Sequence, residues 1–170
     1  MHCAMTGRPL MDSSEGVWDD GEWISWDWIN SQIADQELKA EFPQASIEVL
    51  RVFEDLVYAA QEYKEATGRY LQIWGELGEL YAEIKFGLVR HAPGTQGSDG
   101  RLGNDWVEVK TISPEKGKDA VQVKRAGNFN KLLVVKVNED FEFEAKIIDR
   151  KKLKKGKGKY ANLSWNSAQE

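Results

Sequence analysis

Cysteine and histidine are scarce in this chain of 170 residues. Cys3 is the only cysteine, so no disulfide can form within the chain, and a reducing compartment is expected. His2 and His91 are the only histidines, so the chain cannot build a zinc site of the His/Cys type by itself. Disulfide-stapled secreted domains and zinc-finger-like modules are therefore excluded.

Long apolar runs and nucleotide-binding glycine motifs are also missing. No apolar stretch approaches the ~20 residues of a membrane-spanning helix, and the N-terminus lacks the apolar stretch of a signal peptide. Neither a Walker-type phosphate loop nor a dinucleotide-binding fingerprint is present. We therefore expect a cytoplasmic protein with no membrane partner, outside the P-loop and dinucleotide-dependent enzyme classes.

The net charge of −5 conceals an uneven distribution of acids and bases. Residues 1–87 contain 17 acids and 6 bases, a net charge of −11, whereas residues 88–170 contain 11 acids and 17 bases, a net charge of +6. A polyanion is therefore expected to approach the second half of the chain. The acidic total disfavours strong sequence-independent DNA binding by an isolated monomer.

Residues 1–45 form an acidic N-terminal extension that is rich in tryptophan. We expect residues 1–22 to be loosely ordered, because they are polar and show little periodicity. A helix is predicted from Ser25 to about Ala40, packed on the rest of the chain or on a second subunit. An aromatic platform for bases is the alternative, and the neighbouring acids oppose it. The tryptophans concerned are Trp18, Trp23, Trp26 and Trp28.

Two amphipathic helices are predicted next. The first follows the N-cap residue Ser46 and ends at Gly68, and the second runs from about Arg69 to Phe86. Gly75 and Gly78 lie one turn apart in the second helix, where each costs about 1 kcal/mol relative to alanine. We expect these glycines to permit close approach to another backbone.

The remaining segments alternate in the manner of strands. An almost unbroken apolar run at residues 132–137 predicts a strand buried on both faces, followed by an antiparallel partner across a turn at residues 138–140. Together the patterns predict an α/β fold with a mixed β-sheet of about five strands and N-terminal helices packed on it. The other predicted strands are residues 88–91, 106–111 and 121–124.

A short segment carries the chemistry. Asp99 lies in a glycine-rich turn nine residues before Glu108, which alternates with Lys110 on a predicted strand. Converging carboxylates repel unless a hard cation such as Mg²⁺ lies between them, and a lysine beside them can position a water or stabilise charge on a phosphate. This combination is typical of phosphodiester hydrolysis.

The spacing resembles the PD-(D/E)XK nuclease superfamily, which includes restriction endonucleases and archaeal-type Holliday-junction resolvases. Over about forty residues, Asp99 and Glu108 match its two acids and Lys110 matches its lysine. Glu79, on one helix face with Glu76 and Glu83, matches the acid that resolvase-like members place on the preceding helix. Ser98 replaces the usual proline, and residues 113–120 are too short and broken for the long helix that usually follows the strand.

The resemblance implies a restriction-endonuclease-like domain over residues 46–170 and a metal-dependent endonuclease acting on DNA. Mg²⁺ or Mn²⁺ would be bound by Asp99, Glu108, the carbonyl of Val109 and Glu79, with Lys110 as the catalytic lysine. Duplex cleavage would need two sites, which favours a homodimer through the N-terminal helices. A catalytically inactive binding or assembly module and an RNA-cleaving toxin with the same site remain alternatives. The alternative for Glu76, Glu79 and Glu83 is that they form only a solvated acidic stripe.

Basic residues near the C-terminus are the predicted nucleic-acid contacts. Residues 150–159 contain seven bases, a run that serves either as a solvated loop or as a contact to the DNA backbone. Strand residues 121–124 could extend this basic side. The predicted contacts are Lys124, Arg125, Lys151, Lys152, Lys154 and Lys155.

Overall fold

The computed structural model describes residues 1–168, with three α-helices and a five-stranded mixed β-sheet. The predicted α/β class and the sheet of about five strands are confirmed. The chain divides into two compact units between Pro43 and Gln44. Across residues 1–168, none of the helices has the length and apolarity needed to cross a bilayer.

The first unit contains a β-hairpin and one helix. Strands β1 (Gly16–Asp19) and β2 (Glu22–Ser25) pair antiparallel, and α1 (Trp26–Glu41) follows. The prediction of loose order over residues 1–22 is wrong for residues 16–22, which lie in this hairpin. Asp20 and Gly21 take the positive φ angles, 42° and 89°, of its two-residue turn. Helix α1 starts where predicted, and in the described structure none of its residues is buried.

The second unit begins with two helices. Helix α2 (Ile47–Thr67) ends as predicted at Gly68, whose φ of 70° closes the helix in the left-handed conformation. Helix α3 (Trp74–Phe86) starts five residues later than predicted. Tyr70 explains the difference. Its ring centroid lies 6.3 Å from those of both Trp74 and Phe141, and this packing keeps residues 69–73 out of the helix.

The main sheet has five strands, which are β3 (Val89–Arg90), β4 (Gly100–Leu102), β5 (Asp105–Ile112), β7 (Lys131–Val137) and β8 (Phe143–Asp149). Their order in the sheet is β3-β4-β5-β7-β8. Strands β5 and β7 are parallel and the other neighbouring pairs are antiparallel. The strand following β5 in the chain, β6 (Ala120–Lys124), pairs instead with β9 (Tyr160–Ser164) in a separate two-stranded sheet.

The crossover from β5 to β7 is therefore made through a strand, and residues 113–119 before it form no helix. This connection adds a second apolar core, in which Val121, Phe129 and Trp165 pack with Ile112 of β5. Strand β7 contributes to both cores, because its residues alternate between them as expected of a strand buried on both faces. Helices α2 and α3 supply much of the other core.

Candidate functional site

Two adjoining clefts beside β5 contain most of the predicted catalytic residues. One has a volume of about 420 Å³ and is lined by Glu79, Asp99, Val109 and Lys110 among others. The other, of about 260 Å³, shares Glu79 and Asp99 and extends along the loop that includes His91. Helix α3, the turn before β4 and the middle of β5 thus meet at one place.

Asp99 is held firmly by backbone hydrogen bonds. Its Oδ2 accepts from the N–H of Val109 at 2.7 Å, and its own N–H donates to the carbonyl of Val107 at 2.9 Å. The next residue must be glycine, because a Cβ on Gly100 would lie 2.7 Å from the carbonyl oxygen of Val89. The sequence therefore fixes where this carboxylate lies relative to β5.

Gly78 brings helix α3 against the same strand. A Cβ at Gly78 would lie 2.0 Å from Oγ1 of Thr111, so this glycine permits a close approach, but to a side chain of β5 and not to a backbone as expected. Gly75 has no such role, since a Cβ there would meet nothing within 4 Å. The close packing at Gly78 places the following residue, Glu79, at the cleft.

Glu79 is the carboxylate most affected by its surroundings. Burial raises its pKa, and the carboxylates of Asp99 and Glu76 raise it further, whereas Arg90 and Lys110 oppose them. Within residues 1–168, Glu79 makes neither a hydrogen bond nor a salt bridge. Its negative charge is therefore poorly compensated beside a second acid.

Arg90 neutralises the other two glutamates of the helix face, a role that the sequence analysis missed. Its guanidinium donates to Glu76 at 2.6 Å and to Glu83 at 2.8 Å. The acidic face of α3 is therefore more than a solvated stripe, because its two outer members are paired and the middle one faces Asp99. The sequence does contain a signal for this pairing, because Arg90 follows a helix whose glutamates at 76 and 83 are seven residues apart and so lie on one face.

Glu108 and Lys110 share one face of β5, as alternation predicts. Lys110 Nζ lies 2.6 Å from Oε1 of Glu108, whose side chain is 16% exposed. Lys110 lines the larger cleft, whereas Glu108 lies beside it and is not among the lining residues described. The structure thus brings Glu79, Asp99, Val109 and Lys110 to one cleft, with Glu108 held by the lysine.

No group of three or more His, Cys, Asp or Glu side chains in residues 1–168 is arranged to hold a metal ion. The donors that do meet are two carboxylates and the Val109 peptide. The Val109 N–H points to Asp99, and in a strand the carbonyl of the same residue points to the same edge. Such a set suits Mg²⁺, which commonly takes one or two protein carboxylates and keeps several waters.

The predicted nucleic-acid contacts lie apart from the clefts. Asp149, at the end of β8, is opposite Lys131 on β7, which pairs with Val107 near the start of β5. The basic run therefore follows the end of the sheet where β5 begins, whereas the larger cleft extends toward its C-terminal end. The side chains of Lys124 and of the four predicted lysines of the run are exposed.

Arg125 stabilises this basic loop. Its guanidinium donates to the carbonyl of Lys154, and its backbone N–H donates to the carbonyl of Lys159 at 3.0 Å. Arg150, which the sequence analysis did not single out, donates to the carbonyls of Gly127 and Phe129 at 2.6 and 2.9 Å. These two arginines hold the loop backbone, and the lysines of the run lie exposed on its surface.

Comparison with known proteins identifies no relative: no family model matches the chain, and no curated protein matches it significantly. A functional assignment for this α/β protein therefore depends on the cleft itself.

Proposed function

We propose that the protein is a metal-dependent endonuclease that hydrolyses phosphodiester bonds of DNA, on a restriction-endonuclease-like fold. The observation that carries the proposal is the meeting of Glu79, Asp99 and Lys110 in one cleft. The Asp99 carboxylate adds to the rise in the pKa of Glu79, so the two ionised carboxylates repel each other and destabilise the fold when no cation lies between them. A lysine beside them can stabilise the charge that develops on a phosphate.

The divalent ion would be held by Asp99, Glu79 and the carbonyl of Val109, with Glu108 joining when it exchanges its contact with Lys110. Mg²⁺ and Mn²⁺ both accept oxygen ligands of this kind. When bound, such an ion lowers the pKa of a coordinated water and offsets charge on the phosphate. The firm hydrogen bonds of Asp99 keep its second oxygen available to the cleft.

Lys110 is the side chain that would act directly on the water and the phosphate. Its ammonium, on the same face of β5 as Glu108, can orient a water toward the scissile phosphate and stabilise the charge that develops there. Release of Glu108 from Lys110 frees both groups at once, so the ion pair is the resting arrangement of the site. Arg90 keeps Glu76 and Glu83 from competing for the cation.

The remaining features set the substrate and the assembly. The exposed lysines of the basic run act as point charges on a DNA backbone and position it without reading sequence. Cleavage of both strands of a duplex needs two sites, which makes a homodimer through the tryptophan-rich N-terminal unit part of the proposal. Trp18 and Trp26 of that unit are 57% and 44% exposed.

Cleavage by the purified protein tests the function. In Mg²⁺ or Mn²⁺ it is expected to nick or cut DNA, and Lys110→Ala is expected to abolish the activity while the circular dichroism spectrum is retained. Lys118→Ala, which removes an exposed lysine before β6, is the matched control and is expected to cleave like the wild type. Equal cleavage by Lys110→Ala would remove the mechanism, and parallel RNA substrates would identify a ribonuclease.

One observation favours the second candidate, a catalytically inactive binding or assembly module. Glu108 and Lys110 are paired with each other at 2.6 Å and so are not free for chemistry. In such a module the Glu79–Asp99 repulsion would have no cation to offset it, so Mg²⁺ and Mn²⁺ would not raise the melting temperature. The two candidates therefore differ in a measurement that does not depend on the substrate.

A further inference from the structure

An exposed row of side chains crosses the edge of the main sheet beside the clefts. The strand register places Val89, Arg101 and Trp106 side by side on β3, β4 and β5. Val89 is 68% exposed and Trp106 is 41% exposed, and Arg101 is also exposed. A large aromatic ring near the start of a strand is thus presented to solvent.

The indole of Trp106 is flanked by a cationic guanidinium group and by an imidazole ring. The guanidinium of Arg101 lies 5.1 Å from the indole centroid, and the imidazole of His91 lies 5.2 Å away, tilted by 58°. His91 also lines the smaller cleft together with Glu79 and Asp99. The indole is therefore connected to the candidate catalytic carboxylates through one intervening residue.

Trp106 also lies in line with the predicted catalytic residues of β5. Side chains alternate along a strand, so Trp106, Glu108 and Lys110 share one face, and Trp106 precedes Glu108 by about 7 Å. Arg101 makes no salt bridge or hydrogen bond through its side chain within residues 1–168, so its charge is available to an anion. An exposed ring, an available cation and a neighbouring acidic cleft thus occur together.

We propose that Trp106, with Arg101 and His91, forms a stacking platform for an unpaired nucleotide base, so that the substrate reaches the cleft as a single strand or an unpaired end. This inference rests on the proposed nuclease function and specifies its substrate class. A base presents its π-face only when it is unpaired, and stacking on tryptophan is tolerant of sequence. Arg101 would contact the phosphate next to the stacked base.

Binding without catalysis tests the platform. Fluorescein-labelled single-stranded oligothymidine and a duplex of the same length are titrated with protein in EDTA at low salt, and anisotropy is measured. Trp106→Ala is expected to bind the single strand about tenfold more weakly, and Trp106→Phe is expected to retain most of the affinity. Duplex binding is expected to be the same in all variants. Tyr58→Ala, which removes an aromatic side chain of α2 that is 62% exposed, is the control and should bind like the wild type.

A leucine variant separates stacking from apolar contact. Trp106→Leu keeps apolar bulk but has no π-face, so it is expected to lose affinity as the alanine variant does. Wild-type affinity in Trp106→Leu would overturn the platform and identify an apolar contact surface for a protein. Equal loss of single-strand and duplex binding in Trp106→Ala would also overturn it, because stacking acts only on unpaired bases.

Cleavage is scored separately in Mn²⁺ with the same oligonucleotides. An inactive wild-type protein whose single-strand binding depends on the ring of Trp106 would refute the nuclease and keep the platform. Active protein with Trp106-independent binding would keep the nuclease and refute the platform. Thermal melting of each variant verifies that it is folded.

Discussion

Glu79 on α3 and Asp99 before β4 face one cleft from two different elements, and this arrangement raises the pKa of Glu79. Burial makes the larger contribution and the Asp99 carboxylate adds to it. A folded protein ordinarily keeps like charges apart or pairs them, as Arg90 does for Glu76 and Glu83. A bound cation would therefore stabilise the molecule most at Glu79 and Asp99, the acids of the cleft that have no salt-bridge partner within residues 1–168.

The first prediction concerns the pH dependence of Glu79. Because its pKa is raised by folding, the stability that it contributes is fully present below the ordinary glutamate value and is lost as pH rises through the raised value. Glu79→Gln, which cannot ionise, is therefore expected to be more stable than metal-free wild type near pH 8, by about 0.5 kcal/mol because solvent screens this half-buried group.

Urea unfolding at pH 8 and pH 4 measures this effect. The advantage of Glu79→Gln is expected at pH 8 and should shrink at pH 4, where the wild-type carboxyl is largely protonated. Glu54→Gln, at an exposed position of α2, is the control that reports the generic effect of removing one negative charge. An advantage that is the same at both pH values would contradict the assigned repulsion.

The second prediction compares two glycines of α3. Gly78→Ala is expected to destabilise the protein by about 1–3 kcal/mol, because its Cβ would overlap Oγ1 of Thr111. Gly75→Ala has open space and is expected to gain about 0.5 kcal/mol from helix propensity. Denaturant midpoints measure both, and the double variant Gly78→Ala with Thr111→Ala should recover part of the loss. Equal effects at the two glycines would refute the close contact of α3 with β5.

The third prediction concerns Arg90 as a positioning residue. Arg90→Gln leaves Glu76 and Glu83 without their salt bridges and is expected to cost about 0.5–1 kcal/mol. Arg90 also opposes the raised pKa of Glu79, so its loss should raise that pKa further. The pH at which Mn²⁺ stabilises the protein half-maximally is therefore expected to move upward.

Thermal melting with Mn²⁺ across a pH series measures that shift. Arg90→Lys keeps the positive charge without the two-way hydrogen bonding, so it is expected to lose stability but keep the pH midpoint near that of the wild type. An unchanged midpoint in Arg90→Gln would mean that Arg90 serves only the fold.

The sequence predicted the elements that depend on local patterns. The end of α2 at Gly68 and the burial of β7 on both faces were predicted correctly, because each depends on a signal within a few residues. The β1–β2 hairpin was missed although Asp20-Gly21 is a strong turn signal. The late start of α3 depends on the packing of Tyr70 against Phe141, a contact between residues far apart in the chain.

The candidate site was only partly accessible from sequence. Spacing and the family resemblance predicted Glu79, Asp99, Glu108, Val109 and Lys110 as one site, and the structure brings all of them except Glu108 to the lining of one cleft. The pairing of Glu108 with Lys110 and the clamp of Arg90 depend on which rotamers and neighbours the packing selects. The separation of the basic run from the cleft depends on strand order, which the β6 crossover made unpredictable.

Binding of Mn²⁺ tests most directly whether Glu79 and Asp99 share a cation. The melting temperature of the wild type is expected to rise with added Mn²⁺, since a ligand that binds only the folded state stabilises it. Asp99→Asn keeps an acceptor for the Val109 N–H but loses the charge, so together with Glu79→Gln it is expected to reduce or abolish the rise. A melting temperature that Mn²⁺ leaves unchanged in the wild type, or raises equally in both variants, would contradict the shared cation.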